Sequence, residues 1–505
     1  MDNEMEKKFN VLKTHLLEVY DLEHINALLG WDEATYMPPC GAAARGRQSA
    51  LIARLAHEKS IDPQIGKLLD ELQPYEESLP YESDEASIIR VARRDYERYI
   101  KVPPQFVGEL YQHFSTIYNA WVTARPENDF KSLEPLLEKG IDLSRRLADF
   151  FPGYEHIADP LIDFNDYGMK ATTLRSLFAQ LRRELVPIVQ AITSQPPADD
   201  SCLKQHYPQA DQLAFGEEVI KELGYDFNRG RQDLTKHPFT TEFSIGDVRI
   251  TTRVKENDLT DSLYSTIHEA GHAMYEQGVR QELEGTPVAI GTSAGVHESQ
   301  SRTWVNLVGR SREFWQFFYP KLQARFPNQL NKVSLDTFYR AVNKVQRSLI
   351  RVDADEVTYN LHVMIRFDIE LPLLEGNLLV RDLPEYWHNR YVSDIGVRAP
   401  DDRDGVLQDV HWFNGPVGGM FQGYTLGNII GSLFFAQALK AHPDIPAQMA
   451  QGKFDTLHNW LIENIYQHGR KFTANELIKR VTGGPLAIEP YITYLKTKYS
   501  ELYKL

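Results

Sequence analysis

Only two cysteines, Cys40 and Cys202, occur in 505 residues. Two thiols exclude a disulfide framework as the main staple, and they exclude a cysteine-based zinc site. Long apolar runs are missing too. The most apolar stretch, residues 428–439, is too short to span a bilayer and contains Asn, Gly, Ser and Gln. Residues 1–8 are acidic and polar, without the apolar centre of a signal peptide. Nor is there a basic excess: 55 Lys and Arg stand against 70 Asp and Glu, a net charge of −15. That balance argues against a non-specific nucleic-acid partner or an anionic membrane. A soluble, cytoplasmic protein is expected.

Repeats, low-complexity tracts and Gly/Ser-rich linkers are likewise absent. The chain reads as one domain, 1–505, with the proline-containing loop at 194–201 as the only weak boundary between two lobes of roughly 1–200 and 201–505. Hydrophobic content of 42% is enough for a sizeable core. Apolar residues recur at three and four through most of the chain, predicting a mainly α-helical body. Helices are expected, among others, at 4–29, at 84–99, at 296–307, at 405–411 and in one long run from 335 to about 371. One stretch departs from this habit. Residues 241–245 and 248–254 alternate around Gly246-Asp247, predicting a small β-hairpin beside the helix described next. An edge strand there could pair with an extended peptide.

That helix carries His268-Glu269-Ala270-Gly271-His272. Residues four apart leave the same helix face, so both imidazoles can hold one Zn²⁺. Glu269 sits about 100° round, flanking the ligands, in the general-base position of an H-E-x-x-H metallopeptidase. Asp261 or Ser262 is expected to cap the helix, and Gly271 to leave a gap beside the metal. A catalytic zinc takes three protein ligands and keeps one position open. Candidates for the third are Glu276, Glu282, Glu284, His297 and Glu298. Glu298, on a following helix with twenty-five residues between it and His272, matches the gluzincin arrangement, with His297 second.

Further motifs follow in order. His237-Pro238-Phe239, Asp247-Val248-Arg249-Ile250-Thr251, His297-Glu298-Ser299-Gln300, Ile350-Arg351-Val352-Asp353-Ala354-Asp355 and Gly405 to Trp412, G-V-L-Q-D-V-H-W, accompany the H-E-x-x-H. With them the whole chain resembles the thermostable carboxypeptidase Taq family of zinc metallocarboxypeptidases. The resemblance implies a helical body with a deep central groove, a homodimer, and release of single residues from peptide C-termini with broad preference. It implies His268, His272 and Glu298 as ligands of one zinc ion, replaceable by cobalt, and Glu269 as acid/base. His411, in a family motif, and Tyr424, by analogy with related gluzincins, are candidates to stabilise the oxyanion. An exopeptidase must also hold the terminal carboxylate, which a guanidinium does best. Arg351 is the family choice, against an intrahelical pair with Asp355. Arg249 is second, on a strand face shared with Asp247 and Thr251. His237 is a further substrate-binding candidate, and Asp409 a support for a ligand histidine. A zinc oligopeptidase would share the ligands without a carboxylate clamp, and a helical interaction protein with a structural zinc would have no use for Glu269.

Overall fold

The computed structural model describes residues 2–505. Four helices open the chain: Asp2–Thr35, Ala42–Ser60, Pro63–Ser78 and Asp84–Lys101. The first runs through Trp31 and Asp32 and ends only before Pro38 and Pro39, later than residue 29. Ser83 caps the fourth, Asp84 and Glu85 sit in its first turn, and Arg98 and Lys101 in its last. That charge order suits the helix dipole. Phe9, Leu12, Leu69, Leu72, Ile88 and Ile89 form a small core that also takes in Ile245, Val279, Leu283 and Val288. A much larger core extends from Phe106 to Tyr503. The architecture is mainly α, as the periodicity predicts.

The one sheet has three strands: β1 (Gln232–Leu234), β2 (Thr240–Ser244) and β3 (Asp247–Thr252), in the order β1-β3-β2. β2 and β3 form the expected antiparallel pair, turned at Ile245-Gly246, one residue earlier than predicted. β1 adds a parallel partner on the far side of β3. The hairpin is therefore part of a larger sheet, with β2 at its edge.

β3 leads into the histidine helix, Leu259–Gln277. Its cap is Asp258, which accepts the Thr260 N–H, and not Asp261 or Ser262. Asp261 instead pairs with Arg253. The chain returns through irregular residues to the helix Ala294–Arg302, capped by Ser293 at φ +43° and continued by a π-helical segment, Thr303–Val308. A Cβ on Gly271 would stand 2.6 Å from Ser301 Cα. This glycine permits helix–helix approach and leaves no gap for a metal. Gly427 does the same from the buried helix Phe421–Ala441, where a Cβ would meet Glu298 Cγ at 2.4 Å. Two glycines thus bring three helices together around Glu298.

The expected long helix at 335–371 is broken. Helices span Leu335–Val342 and Tyr359–Glu375, with only a 3₁₀ turn, Arg351–Asp353, between them. Asp355 is the cause: its carboxylate takes the N–H groups of Val357, Thr358 and Gln346, a local alternative to helix. Residues 405–410 are turns and irregular chain, and the short 3₁₀ helix His411–Phe413 follows them. Among the described residues no helix is long and apolar enough to cross a membrane.

Candidate active site

His268 and His272 project from one face of their helix, ring centroids 4.9 Å apart. Glu298 reaches them from the returning helix, its Oε2 3.8 Å from His268 Nε2 and 3.4 Å from His272 Nε2. One ligand atom from each residue lies within 4.8 Å of the others. Zinc bonds of about 2.0–2.2 Å at tetrahedral angles place neighbouring donors roughly 3.3–3.5 Å apart, so these side chains fit such an ion with small adjustments. Two imidazoles, one carboxylate and no cysteine are the donor set of a catalytic site. Burial pushes the His268 imidazole down to about 3 and lowers His272, keeping both in the neutral form a metal requires. Burial opposes ionisation of Glu298, but Arg302 and the two histidines hold its carboxyl well below the usual range.

Behind the donors stands a set of supports. Glu276 Oε1 lies 2.6 Å from His297 Nε2, and His297 Nδ1 lies 2.6 Å from His272 Nδ1. A proton on His297 Nε2, facing Glu276, lets His272 donate from Nδ1 and turns the His272 Nε2 lone pair toward Glu298. Glu276 and His297, both weighed as ligands in the sequence, therefore orient a ligand. Glu284 is remote from the three donors: it accepts the Ile245 N–H at 2.9 Å. Glu282 is the middle residue of the short 3₁₀ helix Gln281–Leu283 and is likewise outside the cluster. Arg302, one turn beyond Glu298, donates to Glu298 Oε1 at 2.6 Å, leaving Oε2 facing the two histidines. Its i, i+4 spacing was readable in the sequence. Thr240, at the start of β2, places its hydroxyl 2.7 Å from Glu269 Oε2. Burial pushes the Glu269 carboxyl up to about 8.

A second cluster is built from later residues. Arg351, 6% exposed, directs Nε and Nη2 at Asp409, the shortest contact 2.8 Å, and Nη1 at Tyr359 Oη, 3.0 Å. The pair with Asp355 does not form. Arg366 also pairs with Asp409 and donates to Gln408 Oε1 at 2.9 Å. Asp409 thus serves two arginines rather than a ligand histidine. One carboxylate between two guanidiniums leaves a net positive charge in a mostly buried place. His411 Nε2 is 3.2 Å from Tyr424 Oη, and the Arg351 guanidinium lies 5.4 Å from the Tyr424 ring. Burial pushes His411 down to about 4 and raises Tyr424, so both are neutral near pH 7.

Arg249 is not gathered into either cluster. It makes a two-point pair with Asp247 and packs on Trp31 and Phe243. Thr251 binds Phe239. His237 is exposed on the loop from β1 to β2, three residues before Thr240.

A family model described as Carboxypeptidase Taq (M32) metallopeptidase matches residues 11–499. The chain belongs to this family. Thermostable carboxypeptidase 1 of Thermus thermophilus is 40% identical over 492 residues, covering 95% of this chain and 96% of the relative. Carboxypeptidase 1 of Bacillus subtilis is 36% identical over 480 residues, covering 95% of each chain. Among solved structures, an M32 carboxypeptidase from Deinococcus radiodurans superimposes with a TM-score of 0.97 at 50% identity, covering 99% of this chain and all of that one. Metallocarboxypeptidase 1 of Trypanosoma cruzi gives 0.91 at 30%, covering 98% and 99%. M32 membership makes the chain a peptide-bond hydrolase of the metal-dependent carboxypeptidase kind, and the His268, His272 and Glu298 cluster is its candidate metal site.

Proposed function

We propose that the enzyme releases single amino acids from free peptide C-termini with one zinc ion per chain, held by His268, His272 and Glu298. The observation that carries this reading is the pairing of a three-donor metal cluster with an adjoining, net-positive arginine cluster, the two joined through Tyr359. When bound, the cation acidifies water and polarises a carbonyl. Glu269, steadied by Thr240 and kept ionised by the positive charge of the cation beside it, would accept the proton of the attacking water and return it to the leaving amine. Tyr424 Oη, still protonated, donates to the oxyanion, and neutral His411 beside it orients the phenol or donates in turn. Arg351 receives the terminal carboxylate while Asp409 holds its plane. Recognition through the carboxylate leaves the last side chain weakly specified, which supports broad preference. The edge of β2 begins at Thr240, beside Glu269, and is the place for an extended substrate backbone, with His237 near its start. Arg249 supports the sheet from Asp247 and reaches substrate only by leaving that pair. Cobalt as a substitute, a homodimer and a cytoplasmic location complete the proposal, resting on the family resemblance.

The test is a blocked dipeptide assayed beside its C-terminally amidated copy. Loss of turnover on amidation is expected. Internal cleavage indifferent to amidation would replace the carboxypeptidase reading with an oligopeptidase.

A further inference from the structure

A basic cleft of about 530 Å³ lies between the end of the helix Asp84–Lys101, the segment Asp163 to Tyr167 and the segment Arg470 to Glu476. Seven basic side chains line it, against Glu97, Asp163 and Glu476, in a chain whose net charge is −15. No metal-cluster or arginine-cluster residue of the active site belongs to it.

Four of these cations are matched by carboxylates. Arg470 makes a two-point pair with Asp95 at 3.0 and 3.1 Å, Lys471 pairs with Asp84 at 2.7 Å, Arg98 with Asp163 at 2.9 Å and Arg93 with Asp70 at 3.1 Å. The other three have no hydrogen bond to a carboxylate among the described residues. Arg90 meets only the Tyr81 and Lys471 carbonyls, Ser87 Oγ and the face of Tyr81. Lys101 Nζ lies over the Phe151 ring at 5.8 Å and has no carboxylate within ion-pair distance among the described residues.

Arg94 is the decisive case. Its side chain is 16% exposed, it rests on the Tyr167 ring at 4.4 Å, and its Nε is a buried donor without a hydrogen-bond partner among the described residues. The nearest carboxylate oxygen, Asp95 Oδ1, is 3.6 Å from Nε and already bound to Arg470. Burial and the neighbouring Arg470 and Arg98 depress its pKa. A buried guanidinium N–H without an acceptor is costly, and buried donors are rarely left so. A solvated basic face, the ordinary reading of clustered arginines, keeps its guanidiniums in water. This one is stacked and covered.

We propose that the cleft binds a phosphate group, free or as a small phosphate ester, with Arg94 as the central donor and Arg90 and Lys101 at its sides. A doubly charged oxyanion with several acceptor oxygens answers three cations without a carboxylate hydrogen bond, and planar guanidiniums match its geometry. The volume falls in the range of small-molecule sites.

Calorimetry and thermal unfolding of the full-length zinc enzyme test this, with inorganic phosphate and glycerol phosphate against sodium chloride at equal ionic strength. Saturable binding and a rise in Tm are expected, and tighter binding of glycerol phosphate would mark the ester as the preferred form. Arg94→Met should weaken binding at least tenfold while leaving the phosphate-free Tm unchanged or higher, since it removes a buried donor that has no hydrogen-bond partner. Phosphate caught at the metal would be indifferent to that substitution. No saturable response up to about 10 mM phosphate, or equal affinity in Arg94→Met, overturns the proposal. Should Arg94→Met lower the phosphate-free Tm, Lys101→Gln decides: weakened binding supports the site, and unchanged binding rejects it.

Discussion

Around His268 and His272 the groups are mostly acidic, Glu298, Glu269 and Glu276, with Arg302 as the one cation against them. Around Arg351 the balance is reversed: Arg351 and Arg366 share Asp409, and His411 and Tyr424 are neutral. The first region suits a dication and the second an incoming carboxylate. Supports differ accordingly. The metal side fixes imidazole and carboxylate orientation by single hydrogen bonds from His297, Arg302 and Thr240. The other side fixes a guanidinium by charge pairing on a shared carboxylate. Chemistry and recognition can therefore be damaged separately.

The largest effect is expected on the metal side. Glu269→Gln should lower kcat/KM about 10²–10⁴-fold, the usual worth of a general base, with zinc content unchanged. Equal loss of zinc would instead make Glu269 a structural part of the site. Next comes Arg351→Met, which leaves Asp409 paired with Arg366. A loss of about 10²–10³-fold on free-carboxylate peptides is expected, of the order measured when one partner of a buried charge pair is removed. Any residual cleavage of an amidated peptide should not change. Equal losses on both substrates would break the division between the two regions.

His297→Ala sharpens it from the other side. Zinc affinity, read by chelator competition, should fall about 10–100-fold as His272 loses its anchor, while KM for the peptide at saturating zinc stays near the wild-type value. Affinity within twofold of wild type would detach His297 from the metal. The smallest effect concerns Glu370, which accepts the Trp412 N–H behind His411 and which burial pushes up to about 7. Between an unfolded value near 4.5 and this folded value, the native state holds a proton that the unfolded chain has released. Stability therefore falls as pH rises across that window, by roughly 1 kcal/mol per unit. Thermal unfolding from pH 4.5 to 7 should show this slope in wild type and a flatter one in Glu370→Gln.

The two regions also differed in how far the sequence exposed them. H-E-x-x-H is local, and one helical turn dictates its geometry, so the histidine pair was readable by spacing alone. Glu298 needed only a short return. Periodicity likewise disclosed the helical body, because amphipathic stripes are local. The arginine cluster is assembled from residues 351, 366, 409, 411 and 424 on separate turns and helices, and only the family motifs pointed to it. Arg366 and Tyr359 carried no motif signal. Helix boundaries failed where side chains competed for the backbone: Asp355 broke the run after 342, and Asp258 took the cap expected of Asp261. Gly271 was misread because the neighbour that requires it, Ser301, is thirty residues away.

The most direct test is a zinc titration of the metal-stripped enzyme, following release of the last residue from a blocked dipeptide. Activity that is absent at the start, rises in proportion to added zinc and levels off at one equivalent per chain is the predicted result. Full turnover without metal, or one tightly bound zinc without turnover, would contradict the account.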